Sequence, residues 1–315
     1  DIRSSDENRV INIISDLADL TITGDFTLLE VIDVIADEAS LLSSSIQKKI
    51  EQIQPPDFTR PDLQTTSNLV QSTEIVPTSR HLNIQYLLEL KSFELISLFL
   101  GNAEIEVDGE ITGSLFAAGD TTILFLDTEI NQMKYWDGLE LYYLSDFDFS
   151  MRMDNSSLTD SFEGFLAEMN VNAKRIFVGS EISDLNFDFN FDGNEAQIDL
   201  NAVYETDTKF DLEGSLFIND GFVDVIFDKL FFKYYEFDLL NSDNIKFSYS
   251  NDNINFDSFT LVHNGGSIDL GGQLSFTGYE DLTLRLNNFK LNDLNANLLG
   301  LPPEKSIDGE LNLDF

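Results

Sequence analysis

From Asp184 to Asp192 the chain alternates without interruption. Leu185, Phe187, Phe189 and Phe191 occupy one parity, and Asp184, Asn186, Asp188, Asn190 and Asp192 the other. Successive side chains of a β-strand point to opposite faces, so this run lays an aromatic stripe on one face and carboxylates and amides on the other. The same period of two dominates from about residue 102 onward. A chain patterned this way forms sheet with one apolar face, and its function turns on what covers that face.

Register arithmetic extends the strand into hairpins. Beyond Gly193-Asn194, a two-residue turn signal, Ile198, Leu200 and Ala202 keep the alternation. If Asp192 faces Glu195, then Phe191 faces Ala196, Phe189 faces Ile198 and Phe187 faces Leu200, and the apolar faces coincide as register requires. A turn at Asp220-Gly221 likewise sets Ile218 opposite Val223 and Leu216 opposite Val225. A turn at Asn264-Gly265 sets Leu261 opposite Ile268 and Phe259 opposite Leu270. Asn-Gly and Asp-Gly favour type I′ turns because both central residues need positive φ. The pattern predicts an antiparallel meander, and these apolar partners, with Leu185, are the expected lining of its inner face.

Along the chain, residues 1–27 read as a β segment and 28–53 as a helix, with Leu28, Val31, Ile32, Ile35, Leu42 and Ile46 on one stripe. Residues 54–80, with Pro55, Pro56, Pro61 and Pro77, form a Pro- and Thr-rich loop. Residues 81–315 read as one continuous, repeat-built β-groove. Short helical turns are expected at 93–100 and at 291–299, the second stopped by Gly300 and Pro302-Pro303. A weak repeat relates Leu88–Gly113 to Leu284–Leu313. Each copy is a strand, a Phe, a short helix, a Gly break and then Val107-Asp-Gly-Glu-Ile111 or Ile307-Asp-Gly-Glu-Leu311. Some 16–18 strand segments of ~8–10 residues would stack into a sheet ~80 Å long. So little helix accompanies them that the apolar face must curl on itself, pack on a second sheet, or be filled by something else. The last option is a half-pipe groove lined with Phe, Leu and Ile, in a mostly β, elongated and curved antiparallel sheet.

Charge removes several function classes. The 315 residues carry 18 Lys+Arg against 57 Asp+Glu, a formal net charge of −39. Nucleic-acid affinity comes from neutralising phosphates with cations, and docking on anionic bilayers needs the same, so both are opposed. With 42% apolar residues, the chain can still offset the entropy of ordering. The absence of cysteine excludes disulfides, thiolate zinc sites and cysteine nucleophiles, and fits a periplasmic or otherwise oxidising compartment. The longest apolar runs, such as Leu95–Leu100, are far below the ~20 residues of a membrane span. Asp1 is not followed by a signal-peptide pattern, and Leu311–Phe315 ends within an alternating run. The chain therefore reads as a mature segment or an excised piece of something longer, and the ending favours excision.

Motifs for chemistry are weak. Asp188-x-Asn190-x-Asp192-Gly193 with Asp199 imitates half of a calcium loop, but the twelfth position wants a bidentate Glu and the hairpin register explains the same residues. His81 and His263 lack any paired spacing, and His263 reads as a strand-end residue beside its turn. No nucleophile elbow, phosphate loop or dinucleotide fingerprint occurs. No catalytic residue, metal or cofactor is expected, and enzyme activity is a minority reading.

The segment Leu284-Arg-Leu-Asn-Asn-Phe-Lys-Leu-Asn-Asp-Leu, its break and then Ile307-Asp-Gly-Glu-Leu-Asn-Leu resemble the AsmA-like repeat, as found in TamB-type translocation and assembly proteins. Asn264-Gly-Gly-Ser-Ile-Asp-Leu-Gly-Gly-Gln-Leu and Ser15-Asp-Leu-Ala-Asp-Leu-Thr-Ile-Thr-Gly-Asp-Phe are similar to elements of the same family. The resemblance implies a U-shaped sheet with an apolar interior in the periplasm of a diderm bacterium, anchored in full length to the inner membrane. It implies phospholipid as partner, its acyl chains carried between inner and outer membrane. For the TamB branch it also implies outer-membrane protein assembly with a barrel partner, through regions this chain lacks. The alternative expectation is a secreted structural or adhesive β-protein with a self-packed core.

Overall fold

The structure, a computed structural model, describes residues 2–5, 8–27, 30–31, 34, 81–91, 93, 104–119, 121–136, 138–155, 164–219, 221–250, 253–276, 278, 281–291 and 309–314. Its elements are strands of a single curved antiparallel sheet. The first are β1 (Ile2–Ser5), β2 (Asn8–Ile14), β3 (Ala18–Asp25) and β4 (His81–Leu90). Next come β5 (Glu104–Ala118), β6 (Thr121–Trp136), β7 (Leu141–Asp154), β8 (Leu166–Val178), β9 (Ser180–Asp192), β10 (Glu195–Tyr204), β11 (Thr208–Asn219) and β12 (Phe222–Tyr234). The series closes with β13 (Phe237–Asn241), β14 (Ile245–Ser250), β15 (Asn253–Ser258), β16 (Thr260–His263), β17 (Gly266–Ser275), β18 (Asp281–Lys290) and β19 (Glu310–Asp314).

Each row of the sheet pairs with the rows before and after it in the chain. β13 and β14 lie end to end along β12, and β15 and β16 end to end along β17, so nineteen strands make seventeen rows. At ~4.8 Å per row the sheet is about 80 Å long. Among the described residues β1 pairs with β2 and β19 with β18, and no pairing joins the two ends. The N-terminal β segment is part of the same sheet, since β3 pairs with β4 from Ala18↔Leu90 to Asp25↔Asn83.

The turns follow their sequence chemistry. Asn264 (φ 45°) and Gly265 (φ 85°) are both left-handed, the requirement of a type I′ turn, and His263 faces Gly266 across it. Asn219↔Phe222 and Asp192↔Glu195 close the other two hairpins.

Two expectations need correction, and another falls almost wholly outside the described residues. Strands of ~8–10 residues were expected, whereas β5, β6 and β7 have 15, 16 and 14. They are long because each strand passes through a bulge instead of ending there. The helix over 28–53 lies outside the described residues except for Glu30, Val31 and Val34, which have helical backbone. The loop 54–80 and most of the short helices at 93–100 and 291–299 lie outside them too. The two repeat copies share their strand order but not their register. Gly109 faces Leu90 inside the ladder, whereas Leu286 faces Leu313 and Gly309 sits past the end of β18, accepting the Leu291 N–H at 2.9 Å.

The bulges align. In β7 the apolar parity runs through Met151, Phe149 and Phe147, then resumes at Leu144. In β8 it runs through Val171 and Ala173 and resumes at Ile176, and in β9 through Phe187 and Leu185 and resumes at Ile182. The polar pairs Ser145-Asp146, Lys174-Arg175 and Ser183-Asp184 fill these gaps, and Ser145↔Arg175↔Ser183 places them side by side. Asp146 and Asp184 take positive φ, 46° and 50°. Further shifts fall at Asp108/Gly109, Asn201/Val203 and Glu213/Gly214. A bulge bends its strand and adds twist, so a line of them is where the sheet curves.

Candidate functional site: an uninterrupted apolar face

Directly opposed residues on the apolar face form lanes running across the strands. One passes through Ile11, Ile22, Tyr86, Gly113, Leu126, Met151, Met169, Phe189, Ile198, Gly214, Phe227 and Ile245, each facing the next. A parallel lane runs from Gly24 in β3 through Ile84, Leu115, Leu124, Met153, Ala167, Phe191, Ala196, Leu216, Val225, Phe247, Phe256 and Gly272 to Leu282 in β18. Neither lane holds a charged residue. The second spans about 60 Å at ~4.8 Å per row.

Two glycines of the first lane, Gly113 and Gly214, face aromatic rings. A Cβ on Gly113 would collide with the Tyr86 ring opposite it, and one on Gly214 would meet the Phe227 ring at 2.7 Å. The ring occupies the space its partner leaves, so the face stays even. Further along, Phe227, Phe247, Phe256 and Phe259 form a row with ring centroids 6.0, 6.0 and 6.2 Å apart.

The residues expected from the sequence fall on this face in the expected pairs: Phe189 faces Ile198, Phe187 faces Leu200, Leu216 faces Val225, Ile218 faces Val223 and Leu261 faces Ile268. Phe259 accepts a backbone hydrogen bond from Leu270 N–H at 2.9 Å. Leu185 precedes the bulge on the same stripe and faces Ala173. All of them, Phe191 included, are half-buried and none is buried. Met133, on the same face of β6, is 41% exposed. The lanes as such were missed in the sequence, together with their β5–β8 members, because hairpin arithmetic looks only one strand away.

Two groups of buried residues bear on this face. Phe26, Val34, Leu82, Ile84, Leu115 and Ala117 form one cluster, with Ile11, Ile22, Val31 and Leu124 packed against it. The other surrounds His263, which ends β16 as expected and is 3% exposed. Its ring centroid lies 4.4 Å from that of Phe237 and 6.2 Å from that of Phe289, and Nδ1 is 2.8 Å from Asp238 Oδ1.

The opposite face is ionic. Asn170, Asp188, Asp199, Glu213 and Lys229 stand in one cross-strand row. Asp188 accepts from Asn170 Nδ2 and sits within β9, a strand residue rather than a member of a calcium loop. Among the described residues no group of three or more acidic or His side chains is arranged to hold a metal ion. Partial burial raises the Asp199 pKa, reinforced by Glu213, Asp188 and Asp211. Over the aligned bulges a polar concavity of about 570 Å³ contains Lys174 paired with Asp146 at 3.5 Å and Arg175 with Glu181 at 3.4 Å. Both of its cations already have a carboxylate partner, and the broad surface left without one of matching chemistry is the apolar one.

No helix among the described residues is long and apolar enough to cross a membrane. In comparisons with known proteins, no family model, no curated protein and no solved structure matches the chain.

Proposed function

We propose that this chain is a groove segment of a periplasmic, AsmA/TamB-like lipid-transfer protein, carrying phospholipid acyl chains along its apolar face between inner and outer membrane. One observation carries the reading: two charge-free lanes cross most of the sheet, and apart from Gly113, Ile84, Leu115, Ala196 and Ile245 their members are half-buried or exposed. A self-packed adhesive domain would bury such Phe and Leu side chains against a second layer. An apolar strip this long and this open fits a partner that is itself apolar. Each methylene removed from water contributes ~0.8 kcal/mol, so a two-chain lipid is held without specific contacts. An even lining makes its sliding nearly isoenergetic. The polar face, at a net charge of −39, keeps the outside wet. Assembly with an outer-membrane barrel would belong to other regions of the full protein.

Native mass spectrometry of the protein, purified gently from the envelope of a diderm host, tests the proposal. Phospholipid adducts are expected, released by mild activation. A clean apo mass, with no lipid extractable into organic solvent, would overturn it.

A further inference from the structure

We infer that Phe26, Val31 and Val34 are intramolecular occupants of the groove that stop the lipid track at its N-terminal end; this rests on the lipid reading above. The large apolar side chains of β9–β12, Phe187, Phe189, Leu200, Leu216 and Val225 among them, are half-buried, but at β4 and β5 the face changes character: Leu82, Ile84, Leu115 and Ala117 are only 2–6% exposed. What lies against them is the chain itself. Phe26 (3%) and Val34 (2%) are buried in that cluster, with Val31 beside them.

The occupied residues are not an arbitrary part of the sheet. Ile84, Leu115 and Leu124 are consecutive members of the longer lane, and Ile11 and Ile22 begin the other. An acyl chain sliding along either lane toward β3 therefore meets apolar side chains already in the place it would fill.

The segment is built to stay there. Phe26 continues the apolar parity of Leu20, Ile22 and Gly24 out of β3. Gly24 has φ +144°, and a Cβ there would run into the Asn83 backbone, so β3 lies tight on β4 where the chain turns onto the face. A capping box then fixes the first helical turn. Thr27 N–H donates to Glu30 Oε2 at 2.8 Å, Glu30 N–H donates to Thr27 Oγ1 at 3.2 Å, and Val31 N–H reaches Thr27 O at 3.1 Å. Val31 and Val34, three residues apart, share one side of that turn and meet the cluster together.

The chain has no native cysteine, so single cysteines report cleanly. Ile84→Cys and Phe189→Cys are compared for maleimide labelling in the otherwise unaltered protein. The cover should make position 84 slower by about tenfold or more, because labelling there needs local opening. In parallel, a phosphatidylcholine with a diazirine on its acyl chain should crosslink to fragments containing Phe189 but not to those containing Leu115. Combining Phe26→Ser with Val34→Ser should speed labelling at position 84 and extend crosslinking to Leu115. Equal labelling at both positions, or equal capture at Leu115 and Phe189 in the unaltered protein, would overturn the stop and leave the lipid reading standing. Capture at neither position, with the thiol at position 84 still protected, would overturn the lipid reading and the stop with it. Labelling and crosslinking in the unaltered background decide the matter even if the double variant does not fold.

Discussion

Asp199 and Glu30 are carboxylates with opposite effects on stability, and their surroundings explain both. Partial burial raises the Asp199 pKa, and Glu213, Asp188 and Asp211 add to it. A raised carboxylate favours the protonated fold. Its contribution is therefore present below the unfolded pKa and lost as pH rises through the folded one. At neutral pH the ionised Asp199 opposes folding, because like charges directly across a ladder are destabilising. Asp199→Asn should raise Tm at pH 7 by the equivalent of about 0.2–1 kcal/mol, less in high salt, with the gain fading at acid pH. A lower Tm for the variant at pH 7 would contradict this. Glu30 runs the other way. Hydrogen bonds from the Thr27 side chain and backbone lower its pKa, so its contribution is present above the unfolded pKa and lost as pH falls through the folded one. Thr27→Ala removes the cap acceptor and should cost about 1 kcal/mol in urea denaturation at pH 7. That loss should shrink in acid, where protonated Glu30 has already weakened the cap.

At the scale of the strand, bulges keep the lanes in phase. β12 carries one more residue than β11 where Glu213 faces Lys229 and Gly214 faces Phe227, leaving Asp228 without a counterpart. Asn241 serves this irregularity. Its Oδ1 accepts the Leu230 N–H at 2.7 Å and its Nδ2 donates to Asp228 O at 3.0 Å. Deleting Asp228 would set Phe227 and Leu230 two positions apart, the spacing of an unbulged strand, so both halves would keep their apolar face against β11. Cooperative melting at a lowered Tm is expected for that deletion, because Asn241 loses its bulge contacts. Deleting Asp224, which lies in regular alternation between Val223 and Val225, would instead turn one side of β12 to the ionic face and should abolish cooperative melting. The contrast also shows what the sequence disclosed. The Asp220-Gly221 and Asn264-Gly265 hairpins were legible because turn chemistry and two-residue alternation are local, and one turn fixes one register. The bulges were not, because Ser145-Asp146 or Ser183-Asp184 looks like ordinary polar punctuation. Their signal was the phase change from Ile182 to Leu185, two polar residues where alternation allows one. The lanes needed every register at once, and the contact of Phe26 and Val34 with Leu115 needed the path of the chain over the sheet.

Across the whole molecule the same substitution should have two outcomes, depending on where the apolar face is open. Phe189 is half-buried between Met169 and Ile198, and Leu261 is half-buried opposite Ile268. A charge placed at either site by Phe189→Asp or Leu261→Arg can reach water across the face while the backbone ladder on both sides persists. Ile84 is 5% exposed beneath Phe26 and Val34. There Ile84→Asp strands a carboxylate in an apolar cluster, at a cost of several kcal/mol against a total stability of only ~5–15. Circular dichroism melting should therefore show a modest fall in Tm for the first two variants and unfolding or aggregation for the third. Lipid should respond in the opposite sense. Photo-crosslinking from position 198 should drop sharply in Phe189→Asp, since an acyl chain passing the introduced carboxylate would have to displace its hydration shell. Unfolding of all three variants would mean that the lanes are a closed core, which favours the self-packed reading. Folded Phe189→Asp with undiminished lipid capture at position 198 would show that acyl chains do not travel along that lane. A folded, lipid-depleted Phe189→Asp beside an unfolded Ile84→Asp is the result expected of an open track stopped at one end by its own chain.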